Sequence, residues 1–365
     1  MGVVLVQGFL LLAHLFLYRT WVDFWGVSGP AGDFALRFVL SVLAFSFMAA
    51  ALLGFRFSGA LVATIYKLAA VWLGLLNFLF WAACLCWMIW FGFSPFVPSL
   101  AAHRPALAAV LFCLALLAGL YGILNASWIR VRRVTVTLPG LPASWRGRTA
   151  LLLSDLHLGN VNGIGFSRRI AAMGAGLSPD IVFLPGDIFD GTKADSGRLA
   201  APLLEIAPPF GFFFTSGNHE EYGGETHYAE AMTRAGIRVL ENERITVDGL
   251  HILGVPCADS GNPIRMRAFL EGLNLAEGAA SILLSHIPNR LPIVEQAGVS
   301  LQLSGHTHGG QIFPFTWFTR RAFGKFTYGL QQFGALQVYT SSGAGTWGPP
   351  MRVGTHPEMV LLTFE

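Results

Sequence analysis

Four long apolar runs near the start of the chain constrain its fold most strongly. They cover about Val3–Tyr18, Phe34–Phe55, Leu68–Phe91 and Pro105–Leu124. A bilayer core about 30 Å thick needs about 20 helical residues, which the last three runs supply. The first run is shorter, but it lacks the basic start and the small-residue cleavage site of a signal peptide. We therefore predict four transmembrane helices, with buried helices of a soluble protein as the alternative.

Charged residues are distributed very unevenly along the chain. Of its 24 Lys and Arg residues and 21 Asp and Glu residues, only seven precede Ile129. A soluble domain needs more charge over so long a stretch, so this distribution favours the membrane interpretation and makes the lipid bilayer an expected partner. The net charge of +3 and the absence of a long basic run argue against nucleic acid as a partner.

The Lys and Arg residues that flank the runs predict an orientation, because cytoplasmic loops carry an excess of these residues. One side has seven of them: Arg56, Lys67, Arg130, Arg132, Arg133, Arg146 and Arg148. The other side has three, of which two are offset by nearby acids: Arg19 and Arg37, beside Asp23 and Asp33, and then Arg104. The bias places the N-terminus and the large C-terminal part in the cytoplasm.

The sequence pattern changes after the fourth run. Residues 127–148 are predicted to form a juxtamembrane linker with a first strand at Arg132–Leu138, because the alternation there stops at Pro139. From Thr149 onward, short apolar runs alternate with helical segments, which is typical of an α/β domain. We expect a transmembrane region at 1–126, the linker at 127–148 and the α/β domain at 149–365.

Five short apolar runs in this domain each end in a polar cluster, and continuous runs of this length indicate buried strands. The predicted strands are Thr149–Leu153, Ile181–Leu184, Phe212–Thr215, Ser281–Leu284 and Ser300–Leu303. Helices are expected between them, at Ser167–Gly176, Lys193–Ile206 and Thr226–Ala235. Ligands of such sheets bind beyond the carboxyl ends of the strands, so the polar clusters should meet there.

The clusters contribute a mixed set of carboxylate, amide and imidazole side chains without a thiolate: Asp155, His157, Asp187, Asn218, His286, His306 and His308. Such ligands suit divalent ions such as Mn²⁺, Fe²⁺ or Zn²⁺. Seven are too many for one ion with an open position, and they suit two ions about 3.5–4 Å apart that share a carboxylate. A single cluster could be a capped turn, but five in this order predict a dinuclear metal site.

The ordered motifs resemble those of the calcineurin-like metallophosphoesterase superfamily, over about Thr149–Glu365. They are Asp155-Leu156-His157, Gly186-Asp187, Gly217-Asn218-His219-Glu220, His286 and Gly305-His306-Thr307-His308. The resemblance implies a β-sandwich flanked by helices (αββα). It also implies that one metal is bound by Asp155, His157, Asp187 and His308, and the second by Asp187, Asn218, His286 and His306. His219 would contact the phosphate or protonate the leaving oxygen. Glu220 replaces the Asp that is frequent in the family, a change expected to spare the metals.

Three later segments, Ser304–Ile312, Tyr339–Thr346 and Pro349–Arg352, resemble those of a bacterial branch of membrane-associated phosphohydrolases. Some members of this branch resemble UDP-2,3-diacylglucosamine pyrophosphohydrolases of lipid A synthesis, and animals have transmembrane relatives. The resemblance implies hydrolysis of a phosphodiester or pyrophosphate by metal-activated water, with Asp187 and His219 as catalytic residues. Mn²⁺ is the first choice for both ions, with Fe²⁺ or Zn²⁺ as alternatives, and a bacterial inner membrane is the expected location.

The segment Ile312–Phe333 follows the last metal motif and mixes eight aromatic residues with Arg320, Arg321 and Lys325. This composition suits a membrane interface or a groove for acyl chains, and the alternative is a loop whose aromatics pack onto the domain. Three functions remain open: hydrolysis of a lipid-linked phosphodiester or pyrophosphate, a phosphodiesterase for soluble nucleotides, and a membrane sensor or scaffold without turnover. The intact metal motifs argue against the third.

Overall fold

The computed structural model describes residues 2–276 and 278–365, which form two compact units. The first contains Met1–Leu124 with Gly348–Met351, and the second contains Asn125–Trp347 with Arg352–Glu365. The α-helices are α1 (Gly2–Trp25), α2 (Gly29–Arg56), α3 (Ala60–Phe93), α4 (Arg104–Ser127), α5 (Ile164–Ala175), α6 (Ser196–Ala200), α7 (Asn218–Gly223), α8 (Glu225–Arg234), α9 (Cys257–Gly261), α10 (Pro263–Gly272), α11 (Leu291–Gln296) and α12 (Phe315–Phe323). The strands are β1 (Arg130–Val136), β2 (Thr149–Leu152), β3 (Ile181–Pro185), β4 (Phe212–Thr215), β5 (Arg238–Val239), β6 (Glu243–Val247), β7 (Leu250–Val255), β8 (Ser281–Ser285), β9 (Leu301–Ser304), β10 (Gly329–Phe333), β11 (Leu336–Thr340) and β12 (Glu358–Phe364).

In the first unit, helices α1 to α4 are long and apolar enough to cross a membrane. Most of their large apolar side chains are exposed, as expected for helices whose solvent is lipid. Several polar side chains of these helices pair with one another, and an unpaired polar group would be costly in lipid. The indole nitrogen of Trp72 donates to His14 at 3.0 Å, and that of Trp87 donates to the Thr20 hydroxyl at 3.0 Å.

The second unit is a sandwich of two six-stranded sheets. One sheet has the strand order β1-β12-β2-β3-β4-β5, and the other has the order β10-β11-β9-β8-β7-β6. The first sheet contains a run of parallel neighbours, β2, β3, β4 and β5. The second sheet contains another such run, β7, β8, β9 and β11. Parallel strands end at the same edge of a sheet, so both sheets present a row of carboxyl-terminal loops.

Alternation along the strands divides the core into three layers, because successive side chains of a strand point to opposite faces. In β3, Ile181 and Phe183 lie in the cluster between the two sheets, whereas Val182 and Leu184 face the helices α5, α6 and α8. In β8, Leu283 faces the opposite helix layer, which contains α10 and α11. The predicted αββα sandwich, preceded by four apolar helices, is therefore confirmed.

Element boundaries differ from the sequence prediction in a few places. Helix α1 continues past Tyr18 to Trp25, because nothing in Arg19–Phe24 breaks a helix. The predicted helix Lys193–Ile206 is split into α6 and a 3₁₀ turn at Ala201–Ile206, where Pro202 removes a backbone donor. A loop was one of the alternatives for the segment after the last metal motif, and the structure has the helix α12 there.

We predict that Trp145 stabilises the sandwich at one edge. It is fully buried, its indole nitrogen donates to the Val247 carbonyl at 3.0 Å, and its ring packs against Phe210 and Phe364. Trp145→Ala should cost about 3–5 kcal/mol of unfolding free energy and lower the melting temperature by on the order of 10 °C. Thermal unfolding of the detergent-solubilised chain, followed by near-UV circular dichroism, measures this. Ile264→Ala, at a residue 78% exposed, is the control and should leave the transition unchanged.

Candidate metal centre

The loops that follow five strands bring all eight predicted site residues to one edge of the sandwich. The loop after β2 contributes Asp155 and His157, the loop after β3 contributes Asp187, and the start of α7 after β4 contributes Asn218 and His219. From the second sheet, the loop after β8 contributes His286 and the loop after β9 contributes His306 and His308. Residues up to 153 positions apart in the sequence therefore meet because the strands of both sheets end at this edge.

One group of donor atoms is centred on two imidazoles. Nε2 of His157 lies 3.0 Å from Nε2 of His308. Oδ1 of Asp155 lies 3.4 Å from Nε2 of His308, and Oδ2 of Asp187 lies 3.7 Å from Nε2 of His157. All four side chains are buried. Donor atoms of Asp155, His157 and His308 all lie within 4.8 Å of one another, close enough to hold an ion.

A second group lies on the other side of Asp187. Oδ2 of Asp187 is 3.2 Å from Nε2 of His286, which in turn is 4.0 Å from Oδ1 of Asp155. Nδ1 of His306 lies 2.9 Å from Oδ1 of Asn218, and the rings of His286 and His306 are 5.1 Å apart. Asp187 therefore faces both groups, and its carboxylate is the one element that they share.

His219 is half-buried beside the first group, and donor atoms of His219, His157 and Asp187 lie within 4.8 Å of one another. Its backbone N–H donates to Oδ1 of Asp187 at 2.9 Å, and its Nδ1 lies 3.0 Å from the Asp190 carbonyl oxygen. Since a carbonyl only accepts, Nδ1 carries the proton of this hydrogen bond. Nε2 is then the atom that can face a bound molecule. The largely exposed rings of Tyr222 and Trp347 flank it at 5.9 Å and 6.1 Å.

Several site residues adopt backbone angles that are costly for residues other than glycine. Positive φ values of 45–69° occur at five of the seven predicted ligands: Asp155, His157, Asp187, His306 and His308. Such angles cost on the order of 1 kcal/mol each, although Asp and His tolerate them better than most residues. The surrounding structure stabilises these turns, so the ligand geometry is determined by the fold rather than by local preference.

Glu220 is one of the groups that stabilise the turns. It is fully buried, and its carboxylate accepts hydrogen bonds from the backbone N–H groups of Asp187, Phe189 and Gly217 at 2.7–2.9 Å. The carboxylate therefore connects the loops after β3 and β4. Burial, and then the charge of Asp187, raise the pKa of Glu220 to about 7. Sequence reasoning had assigned this residue no role.

Arg352 supports the loop of His308 in a similar way. It is fully buried, and its guanidinium donates to five backbone carbonyl oxygens at 2.6–3.4 Å, those of His308, Ser342, Gly343, Gly345 and His356. No carboxylate within the described residues forms an ion pair with it. The guanidinium also lies 3.2 Å from Nδ1 of His308. This buried arginine fixes the relative positions of three loops, and an arginine at that position carries no sequence signal of this role.

The pKa values of the buried groups show that the two aspartates stabilise a positive charge next to them. Burial raises the pKa of Asp155 to about 6. Burial lowers the pKa of His286, but Asp187 and Asp155 outweigh this effect and the net pKa rises to about 10. Burial also raises the pKa of Asp187, yet the facing His286 holds the net value well below its usual range. Among the described residues, no Lys or Arg forms an ion pair with either aspartate.

The donor set fits divalent metal ions. Burial is the main cause that lowers the pKa of His157 and His308 well below normal, which leaves both imidazoles in the neutral form that binds metals. Nε2 of His286 is buried and makes no hydrogen bond within the described residues. Two ring nitrogens 3.0 Å apart, as in His157 and His308, are separated like two ligands of one ion. Three subsets of the site hold donor atoms within 4.8 Å of one another.

A two-sheet α/β sandwich with a buried carboxylate–imidazole cluster at its strand ends defines a metal-dependent hydrolase. The sequence profile of calcineurin-like phosphoesterases matches residues 149–310, and an uncharacterized metallophosphoesterase of Aquifex aeolicus is 32% identical over 260 residues. That alignment covers 69% of this chain and 98% of the relative. The chain belongs to the calcineurin-like phosphoesterase family, and it is a metal-dependent phosphoesterase.

Other relatives share the same domain in longer proteins. An uncharacterized metallophosphoesterase of Campylobacter jejuni, Cj0846, is 32% identical over 240 residues, which are 64% of this chain and 63% of the relative. A protein of Danio rerio, named transmembrane protein with metallophosphoesterase domain, is 31% identical over 263 residues, which are 67% of this chain and 60% of the relative. The chain thus spans less than two thirds of the length of these two relatives.

The residues next to the site differ in their contacts. The carboxylate of Asp190 accepts hydrogen bonds from the backbone N–H groups of Asn160 and Thr192. It therefore shapes its own loop. Trp347 and Tyr222 were not singled out, because an isolated aromatic residue in a loop carries no functional signal in a sequence.

We predict that metal removal destabilises the domain, since ions that bind only the folded state stabilise it by mass action. Treating the detergent-solubilised chain with a chelator should lower its melting temperature, and added Mn²⁺ or Zn²⁺ should restore it. The Asp187→Ala variant should show a much smaller metal-dependent shift. Equal shifts in the two proteins would place the stabilising ion elsewhere.

Proposed function

We propose that the chain is a membrane-bound phosphohydrolase with two divalent ions, Mn²⁺ in the first instance and Fe²⁺ or Zn²⁺ as alternatives. Asp155, His157, Asp187 and His308 would hold one ion. The second would be held by Asp187 together with Asn218, His286 and His306. The observation that carries this proposal is the position of Asp187, whose buried carboxylate faces both groups of donor atoms. A shared carboxylate is the arrangement that a pair of ions requires.

When bound, such ions supply an activated water and neutralise the charge of a phosphoryl group. The residues of the chain fix the geometry of this reaction. Glu220 and Arg352 hold the ligand loops through backbone hydrogen bonds, so the ligands are positioned before a substrate binds. Such preorganisation lowers the reorganisation that the transition state requires.

His219 is proposed to act on the leaving group. The Asp190 carbonyl accepts from Nδ1–H in both the neutral and the protonated ring, so the orientation of the ring is the same in the two forms. The protonated ring could then donate its Nε2 proton to the leaving oxygen. Asp187, through its contact with the backbone N–H of His219, keeps this residue next to the donor cluster.

The proposed substrate is a lipid-linked phosphodiester or pyrophosphate, for example UDP-2,3-diacylglucosamine. Aromatic residues lie close to the site: the ring of the half-buried Phe323 is 6.0 Å from that of His306, and the exposed Trp347 flanks His219. Four apolar helices in the same chain would keep the domain beside a bilayer. The Lys and Arg bias of the flanking loops supports a bacterial inner membrane with the catalytic domain in the cytoplasm.

We predict that His219→Ala separates metal binding from turnover. The residue is not one of the seven proposed ligands, so the variant should retain the metal content of the unmodified chain. Its turnover should fall by about 10²–10⁴-fold, the usual contribution of a general acid. Elemental analysis and initial rates with bis-p-nitrophenyl phosphate measure the two quantities. Loss of metal together with activity would instead make His219 a ligand.

The substrate proposal is tested with the Mn²⁺-loaded, detergent-solubilised chain on bis-p-nitrophenyl phosphate and UDP-2,3-diacylglucosamine in parallel. We expect both to be hydrolysed, the lipid nucleotide with release of UMP. Asp187→Ala should reduce both rates by more than about 100-fold, because even partners of metal ligands contribute 10–100-fold. Asp248→Ala, at a surface aspartate, is the matched control and should leave both rates unchanged.

The remaining outcomes separate the alternatives. Turnover of only the artificial diester would retain the phosphoesterase and discard this lipid as the substrate. Hydrolysis of soluble nucleotides that does not depend on detergent or lipid would favour a tethered phosphodiesterase. Metal binding without turnover of any of these compounds would favour a sensor or scaffold.

A further inference from the structure

Helix α12 presents its polar and apolar faces in the reverse of the usual order. Its threonines, Thr316 and Thr319, are half-buried against the domain, whereas Phe315, Trp317 and Phe318 are 54–61% exposed. A helix on the surface of a soluble domain turns its apolar face inward. Contiguous exposed aromatics of this kind mark an interaction surface.

The charges around this face all have one sign. Arg320, Arg321 and Lys325 are exposed, and no Asp or Glu occurs between Ile312 and Phe333. Exposed aromatic residues next to basic residues on a short helix suit the headgroup region of an anionic membrane. An acidic protein surface would satisfy the arginines but would leave the three aromatic rings without an apolar partner.

Hydrogen bonds connect the start of α12 to the last turn of α4. The side-chain amide of Asn125, in that turn, donates to the carbonyl oxygens of Arg352 and Thr355 at 2.9 Å and 2.8 Å. The Thr355 hydroxyl donates to the Gln311 carbonyl at 3.1 Å, and the backbone N–H of Phe313 donates to the Val353 carbonyl at 2.9 Å. These bonds hold the start of α12 close to Asn125, two residues before α4 ends.

The same helix packs directly against the metal-ligand loop. A side chain at Gly310, two residues after His308, would meet the Cα atom of Thr316 at 2.4 Å. The ring of Phe323, at the end of the helix, is 6.0 Å from that of His306. A surface bound by α12 would therefore lie next to the metal centre.

From these observations we propose that α12 is a membrane-interface helix that binds anionic lipid with Phe315, Trp317 and Phe318 among the acyl chains and Arg320, Arg321 and Lys325 at the headgroups. This inference rests on the membrane location included in the proposed function and is independent of the substrate. The bound surface would hold the mouth of the metal centre at the level of the lipid headgroups.

Hydrogen–deuterium exchange of the full chain in lipid nanodiscs tests the inference. Discs of phosphatidylcholine alone are compared with discs that contain equal parts of phosphatidylcholine and phosphatidylglycerol. The amides of residues 313–327 should exchange more slowly in the anionic discs. Arg320→Gln with Arg321→Gln should weaken this protection by up to roughly fivefold per removed charge. Arg320→Lys with Arg321→Lys should retain it.

The matched control removes two exposed arginines from another helix of the same domain. Arg265→Gln with Arg267→Gln, on α10, should leave the protection of residues 313–327 unchanged. Equal exchange in the two kinds of disc, or an equal effect of both double variants, would overturn the inference. Protection of 313–327 in detergent without lipid that equals the protection in the anionic discs would do so too, because packing onto the domain would then be its whole cause.

The amides of α4 distinguish this failure from a failure of the proposed location. If α4 is protected in every disc and residues 313–327 are not, only the interface helix is wrong. If α4 also exchanges freely, the membrane location itself is wrong. Neither outcome depends on whether the chain hydrolyses a phosphate ester in the same preparation.

Discussion

Two carboxylates buried without a Lys or Arg ion-pair partner among the described residues determine much of the structure of the catalytic domain. Asp155 and Asp187 are at most 2% exposed, and isolated buried charges of this kind are very unfavourable. The domain compensates with hydrogen bonds from backbone N–H groups, with the imidazoles of His157, His286 and His308, and with the proposed ions. Without a positive charge at this point, the strand ends that converge there would repel one another.

The surrounding structure maintains the unfavourable backbone angles of the ligands. Glu220 binds three backbone N–H groups, and Arg352 binds five backbone carbonyls. Both are buried charged side chains whose partners are mostly peptide groups, so each one fixes several loops at once. Glycines permit the close approach: a side chain at Gly217 would meet Oδ1 of Asp187 at 2.2 Å, and one at Gly305 would meet Oδ2 of Asp155 at 2.1 Å. The unfavourable backbone angles lower the stability of the domain, and the surrounding contacts that maintain them give the ligands fixed positions.

Hydrogen bonds connect the end of the fourth apolar helix with the loops around the metal centre. The chain of hydrogen bonds from Asn125 through residues 352–355 reaches the start of α12, and Arg352 also holds the backbone of His308. Residues 352–355 therefore contact both the end of an apolar helix and a loop that carries a metal ligand.

The sequence by itself determined the four apolar helices, the alternation of strands and helices, and the candidate ligands, because each of these depends on local composition and periodicity. Ordered strand ends such as Asp155-Leu156-His157 and Gly305-His306-Thr307-His308 sufficed for the family and the fold. The roles of Glu220, Arg352 and Asn125 were decided only by the tertiary structure. Their partners are backbone groups, mostly of distant loops, and such contacts leave no pattern in the sequence. The outward face of α12 was likewise set by the fold, because the contact of Thr316 with Gly310 determines which side of that helix meets the protein.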